Sequence, residues 1–470
     1  MSDAPATTPA SSAAPDRDRG TIGLIPCLAF AVGAMVGGGV FTLSGTAINQ
    51  AGPGALISYG IAGLIMLVSA LSFVAVAARA KEGETGYGPI AGLIGRPWRF
   101  LVMWGFYLNA VLMVAFLAVS FGSYLHDYFL DGVGATAAGI VCVILVIALN
   151  LGPAALVGKA ETYVVGLKIG LLFVFIGWGL TELTGSDLQP LDPHGSSSIF
   201  ATSALLFTAY TGFNVVTNMS SSVKDPAKTV PRAVIGAVLI AIVVYMGVIL
   251  AMLASGITAF GPAGVAQAAE VLMGHWGGQL IAFAACLSTL SGANAQVLGA
   301  SEITLRLVVL KDVPERVGLR TPAGFPWVSV GLVGVIGLVL ILFSNLDYVV
   351  AVGNIVALIA MMIVNVAAGV LARRGWPGAG PKLPGGVIIP VVAGLACLAQ
   401  FASFDLLDTL SGVIAMLLGF GIYALRHHGD SDADITEAVE ESVLDRTTPL
   451  ARALQGPPSP FPTTRSPDVV

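Results

Sequence analysis

The sequence predicts an all-α integral membrane protein of twelve transmembrane helices, and three observations carry that expectation. Of 470 residues, 56% are hydrophobic and only 10% charged, with a mean hydropathy of +0.88. A soluble domain carries about 25% charged residues, so too little polar surface remains here to cover a globule in water. The apolar residues also gather into twelve runs of bilayer length. Finally, the basic residues fall on alternate connections between those runs, the pattern that orients a chain in a membrane.

A spanning helix needs about 20 apolar residues. The runs lie near 22–48, 54–79, 98–127, 134–152, 159–183, 199–219, 231–256, 267–309, 325–344, 347–372, 386–403 and 406–425. The 267–309 run exceeds one span, and its surplus reads as an interfacial or intracellular extension. The first run is too long for the apolar core of a signal peptide and reads as a retained helix.

With the N-terminus inside, the odd connections face outward and contain no Lys or Arg. The even connections carry Arg79, Lys81, Arg96 and Arg99; Lys159; Lys224, Lys228 and Arg232; Arg306, Lys311, Arg316 and Arg320; and Arg373, Arg374 and Lys382. A miscounted span would invert every later loop. Both termini are therefore expected in the cytoplasm, with the chain in the cell (inner) membrane.

Several function classes drop out. A net charge of −5 offers no basic surface for nucleic acid. Cys27, Cys142, Cys286 and Cys397 sit inside apolar runs without C-x-x-C spacing, so neither a disulfide framework nor zinc is expected. No paired carboxylates, metal set or nucleophile with its base lies within the spans, which argues against an enzyme. No phosphate-binding G-x-x-x-x-G-K-[ST] stretch is present, which argues against a nucleotide-driven pump. Neither a cofactor nor a metal is expected.

Two spans contain interruptions. The first reads Gly33-Ala-Met35-Val36-Gly37-Gly38-Gly39-Val-Phe41. Each glycine costs a helix about 1 kcal/mol against alanine. Unwound backbone at membrane depth is tolerated only where it lines a cavity or is buried in protein. Such a break bares amides at the start of a half-helix, which suits a carboxylate. The competing reading is that small residues let helices pack closely. The sixth span reads Phe207-Thr208-Ala209-Tyr210-Thr211-Gly212-Phe213-Asn214, again with polar residues and a glycine in mid-run. Spans one and six open the two halves of a five-plus-five arrangement. Interruptions at corresponding positions of two halves point to a transporter site between inverted repeats.

At these residues the chain resembles the amino acid–polyamine–organocation (APC) superfamily, in its bacterial and cationic-amino-acid-transporter-like branches. The resemblance covers roughly residues 20–425. The first span resembles the family's G-x-G-I-F break, and Phe207 to Asn214 its F-F-A-F-x-G-F-D motif. Lys224-Asp225-Pro226 and Pro231-Arg232-Ala233 resemble the K-N-P…P-x-A stretch that follows. The chain departs from the family at Ser221 and Ser222, where two glutamates are common, at Asn214, where Asp is common, and at Ala75, where a glutamate is usual.

The resemblance implies a LeuT-type fold with 5+5 inverted repeats and two further helices. Residues 1–20 would be a disordered cytoplasmic tail and 21–425 the transporter domain. Within the latter, repeat one spans about 21–185, repeat two about 197–373 and the extra helices about 386–425; residues 426–470 form a cytoplasmic tail. A substrate carboxylate would sit on amides around Gly37, Gly38 and Gly39. Its ammonium would meet carbonyls near Met35 and Val36 and those from Phe207 through Thr208 and Tyr210 to Thr211, before Gly212. Phe207 and Tyr210 are candidates for an aromatic cover, with plain packing as the other reading.

One basic residue stands apart from the loops. Lys168 lies about nine residues into the fifth span, roughly 13 Å deep at 1.5 Å per residue. An ionisable group at such depth costs roughly 2.5–3.5 kcal/mol on insertion scales and is a functional candidate by default. Relatives resembling this chain carry a lysine here that stands in for the sodium ion of sodium-coupled members. Lys168 is thus the candidate for proton coupling, with a purely structural ammonium as the other reading. Ser288, Thr289 and Ser291 on the eighth span are its candidate partners. The expected function is secondary active transport of an amino acid by proton symport and alternating access. An amino acid or polyamine exchanger and a transporter-derived sensor are the alternatives.

Overall fold

The computed structural model describes residues 22–80, 84–150, 154–213, 216, 223–321, 326–343, 345–378, 380–383 and 385–428. Residues 1–21 and 429–470, Asn214, Ser221 and Ser222 lie outside the described residues. Among those described, the only extended pairing is an isolated bridge between Ile22 and Val223. Everything else regular is helical.

The first apolar run folds as two helices, α1 (Leu24–Met35) and α2 (Gly39–Ala51), separated at residues 36–38. Gly52 then adopts φ +58° in a tight turn containing Pro53, and α3 (Ala55–Ala77) follows. The short α4 (Gly88–Ile94) leads to α5 (Arg96–Tyr128), α6 (Ala135–Asn150) and α7 (Ala154–Glu182). The sixth run starts as α8 (Ser196–Leu206) and tightens into a 3-10 turn at Phe207–Tyr210. Next come α9 (Pro226–Ala254), the short α10 (Gly264–Met273) and α11 (His275–Val309). The chain continues through α12 (Trp327–Phe343), α13 (Leu346–Arg373), α14 (Ile388–Gln400) and α15 (Leu406–Arg426).

Among the described residues, seven helical stretches are long and apolar enough to cross a membrane. They are Gly39–Ala77, Arg96–Tyr128, Tyr163–Glu182, Lys228–Ala254, His275–Val309, Leu346–Arg373 and Leu406–Arg426. Shorter apolar helices accompany them at Leu24–Met35, Ala135–Asn150, Gly264–Met273, Trp327–Leu342 and Ile388–Ser403. The chain is a multi-pass membrane protein. Part of the surplus within 267–309 is a separate helix, since Gly274, at φ +77°, ends α10 before α11 begins, and the rest is the length of α11 itself, 35 residues where a span needs about 20.

The core is built around α5, which packs against α6, α11, α12 and α13. In its most apolar stretch 83% of residues are buried, against 22% in α15, so α5 is central and α15 peripheral. Helix α9 lies on the other side, against α1, α3 and α7. Asparagine amides bridge helices where lipid could not satisfy them. Asn109 donates to the Gly353 carbonyl at 3.0 Å, Asn354 to that of Leu205 at 3.0 Å, and Asn150 to Asn294 Oδ1 at 2.6 Å.

Candidate functional site

Both interruptions sit in the middle of this packing, directly against each other. At the first, Val36 leaves helical geometry with ψ +47° and α2 restarts at Gly39. The opening amides of a helix have no intrahelical acceptor, and no side chain caps α2. A bundle of bare N–H groups and a positive dipole end therefore face the break, which favours an anion.

The carbonyls released on the other side of the break are answered from three different helices. Lys168 of α7 is fully buried, and its Nζ donates to the Gly33 carbonyl at 2.9 Å. The same nitrogen lies 3.5 Å from Ser291 Oγ. Ser288 of α11 reaches the carbonyls of Val36 at 2.7 Å and Gly37 at 2.8 Å. Tyr245 of α9 places its hydroxyl 2.7 Å from the Met35 carbonyl. Thr289 behaves differently from its neighbours. Its hydroxyl donates back to Ala285 and Cys286 of its own helix, and its methyl points toward Gly38.

The second break holds itself more locally. The Thr211 N–H donates to the Thr208 carbonyl at 3.0 Å, and the Thr211 hydroxyl to that same oxygen at 2.7 Å. The Thr208 hydroxyl contacts Met113 Sδ at 3.2 Å. Tyr210 donates to the Tyr59 carbonyl at 2.9 Å, while the Tyr59 hydroxyl pairs with Ser44 Oγ at 2.9 Å. Tyr59, Tyr210 and Tyr245 pack their rings together at centroid separations of 5.0–6.4 Å. Phe207 is fully buried.

Tyr245 joins the two breaks, since its hydroxyl is also 2.8 Å from the Ala209 carbonyl. A single hydroxyl proton thus serves a carbonyl from each interrupted span. The backbones meet as well. A Cβ on Gly39 would stand 2.9 Å from Ala209 Cα, and one on Gly212, which adopts φ +117°, would stand 2.9 Å from the Ala34 carbonyl carbon. At both places glycine is what permits the approach. Leu117 of α5 closes over the first break: a Cβ on Gly38 would lie 2.3 Å from its Cδ2. Gly37 also lies against Gly292 of α11, whose added Cβ would be 3.2 Å from Gly37 Cα.

All the residues singled out from sequence for the two breaks therefore lie in one buried cluster, together with Lys168, Ser288 and Ser291. Tyr245, Tyr59, Leu117 and Gly292 were not foreseen. Tyr245 is the sole tyrosine in the 231–256 run and Tyr59 the sole one in 54–79. A tyrosine at mid-span needs a partner for its hydroxyl, and that signal could have flagged both.

A profile of the amino acid permease family matches residues 22–423. The branched-chain amino acid permease BcaP of Bacillus subtilis is 27% identical over 430 residues, covering 84% of this chain and 90% of its own length. The protein of the same name in Lactococcus lactis is 26% identical, covering 84% of this chain and 92% of its own length. The methylthioribose transporter of Bacillus subtilis is 24% identical over 84% of this chain and 90% of its own length.

Proposed function

The chain belongs to the amino acid permease family, a family of transporters and not of enzymes, and from that premise we propose that it carries an amino acid across the cell membrane by proton symport and alternating access. The observation that carries the reading is the convergence of uncapped α2 amides and two sets of broken-helix carbonyls in one dry cluster. A zwitterion needs donors and acceptors a few ångströms apart. The carboxylate goes to the amides around Gly37, Gly38 and Gly39. The ammonium goes to carbonyls of Met35, Val36 and the Phe207–Thr211 turn; a carbonyl oxygen has two lone pairs, so one that already accepts from the protein can accept again.

The cargo's side chain is neutral and apolar. No Asp or Glu lies among the cluster's residues named above, and two relatives bear the name of branched-chain amino acid permeases.

Twelve spans follow if α1 is counted with α2, α8 with its turn, each of α3, α5, α6, α7, α9, α11, α12, α13, α14 and α15 singly, and the short α4 and α10 as connections. Inverted repeats find support in the packing. Exchange of the first five spans with the second five maps α5–α6 onto α11–α12, α5–α13 onto α11–α7, and α3–α13 onto α9–α7. It maps α4–α5 onto α10–α11 too, and each of these pairs is in contact. Five spans per half place the two copies in opposite orientation, with both termini cytoplasmic.

Coupling rests on Lys168. Its ammonium holds the Gly33 carbonyl, and with it the end of α1. Losing the proton removes a charge-assisted bond and frees α1 to move against α7, opening the site to the cytoplasm. The test is uptake of a labelled amino acid panel into proteoliposomes with and without an inward proton gradient. Accumulation of neutral apolar amino acids driven by the gradient is expected. Uptake that ignores the gradient and requires amino acid preloaded inside would make the protein an exchanger.

A further inference from the structure

The end of the last helix is tied down by ionisable side chains that the transport site does not use. Asp312 follows α11 in a turn where Lys311 adopts φ +59°, and its N–H donates to the Leu307 carbonyl at 2.9 Å. The turn carries the carboxylate inward until only 2% of the side chain is exposed. There Arg99 Nη2 of α5 meets Asp312 Oδ2 at 3.1 Å. His427, the residue after α15, brings Nε2 to 3.6 Å from the other oxygen. The imidazole stacks on Tyr423 at 4.4 Å between centroids, and Arg426 donates to the Lys311 carbonyl at 3.5 Å.

Hydrogen-bond chemistry at His427 constrains its protons. Nδ1 lies 3.1 Å from the Tyr423 carbonyl, which can only accept, so Nδ1 bears a hydrogen. Nε2 then faces a carboxylate oxygen. Either Nε2 also bears a hydrogen or the carboxyl does; otherwise two lone pairs confront each other in a buried place. Burial pushes the Asp312 carboxyl above the usual carboxylate range, against the pull of Arg99, His427 and Arg96.

We propose that Asp312 and His427 form a proton-binding pair that latches α15 to the ends of α5 and α11 on the cytoplasmic side, and that loss of the shared proton releases it. The charged groups around the pair are Arg96 and Arg99 from α5, Lys311 in the turn, and Arg426 and His428 at the end of α15; Glu315 and Arg316 of the next turn are exposed. Histidine changes charge between about pH 5 and 8. The latch needs the shared proton, so it is complete at the acid end of that range and is lost as pH rises. Arg99 stays paired with Asp312, so the Asp312 turn stays on α5 and only the end of α15 comes free.

The test reads a distance and is independent of transport. Spin labels at Trp98→Cys and Leu425→Cys, both exposed positions, are measured by pulsed EPR in the full chain in nanodiscs at about pH 5.5, near the acid end of the histidine range, and at about pH 8.5, above it. The native latch gives a narrow distribution at the lower pH and a longer, broader one at the higher. His427→Gln removes the difference between the two, and His427→Arg, with its fixed charge, stays narrow at both. An unchanged wild-type distribution, or a shift that survives in either variant, overturns the proposal.

Discussion

The break at residues 36–38 and the break at 207–212 touch each other, yet they are held differently. The first is Val36 and two glycines, Gly37 and Gly38, with little side chain to organise it, and its carbonyls and those just before it are claimed by Lys168, Ser288 and Tyr245 from three separate helices. The second closes its own turn through Thr211 and Thr208 and leans on a tyrosine cluster. A segment held from outside moves when its holders change, whereas one held by its own turn moves as a unit. In the proposed mechanism the glycine break is accordingly the place where a proton or a substrate is felt, and the other break is the surface it moves against.

That contrast can be broken by substitution. Gly39→Ala has the largest expected effect. Its Cβ would meet Ala209 Cα at 2.9 Å, a backbone contact that cannot swing aside, and Ala209→Gly leaves that Cα in place. A shift of about 1 Å in a positioned site costs on the order of 100-fold, so uptake in proteoliposomes should fall by about that factor.

Tyr245→Phe comes next, because it removes the hydroxyl shared by the two breaks and leaves two buried carbonyls short of a donor. A cost of about 1–3 kcal/mol is expected, read as a raised KM for uptake and a lower thermal unfolding midpoint. Gly38→Ala is milder, since the atom it meets is the mobile end of Leu117. Overpacking of about 1–3 kcal/mol should be relieved in Gly38→Ala/Leu117→Ala, and a double variant no better than the single would deny that Leu117 covers the break. Thr211→Val has the smallest effect, about 0.5–1.5 kcal/mol for one local hydrogen bond. It should lower thermal stability slightly and leave gradient-driven uptake in place. If it abolished the gradient response, the assignment of coupling to the first break alone would fail.

The breaks themselves were legible in the sequence because Gly37 to Gly39, and Thr208 to Gly212, interrupt otherwise apolar runs. Lys168 was legible by its depth. What was hidden is which groups answer the broken carbonyls. Tyr245 is 210 residues from Met35 and Lys168 is 135 from Gly33, so those bonds exist only once α1, α7 and α9 have packed. The orientation of Thr289 was hidden for a local reason: a threonine hydroxyl in a helix reaches its own carbonyls three and four residues back. Helix α10 was hidden because it meets α11 at a single residue, Gly274, and only the positive φ of that glycine separates them.

The central claim is that Lys168 passes the state of a proton to the end of α1. The most direct measurement compares wild-type protein with Lys168→Ala in proteoliposomes, reading uptake of a neutral apolar amino acid with and without an imposed inward proton gradient. The account predicts gradient-driven accumulation by the wild type and, in Lys168→Ala, substrate binding or slow equilibration that no longer responds to the gradient. A variant that still accumulates substrate with wild-type dependence on the gradient would contradict it.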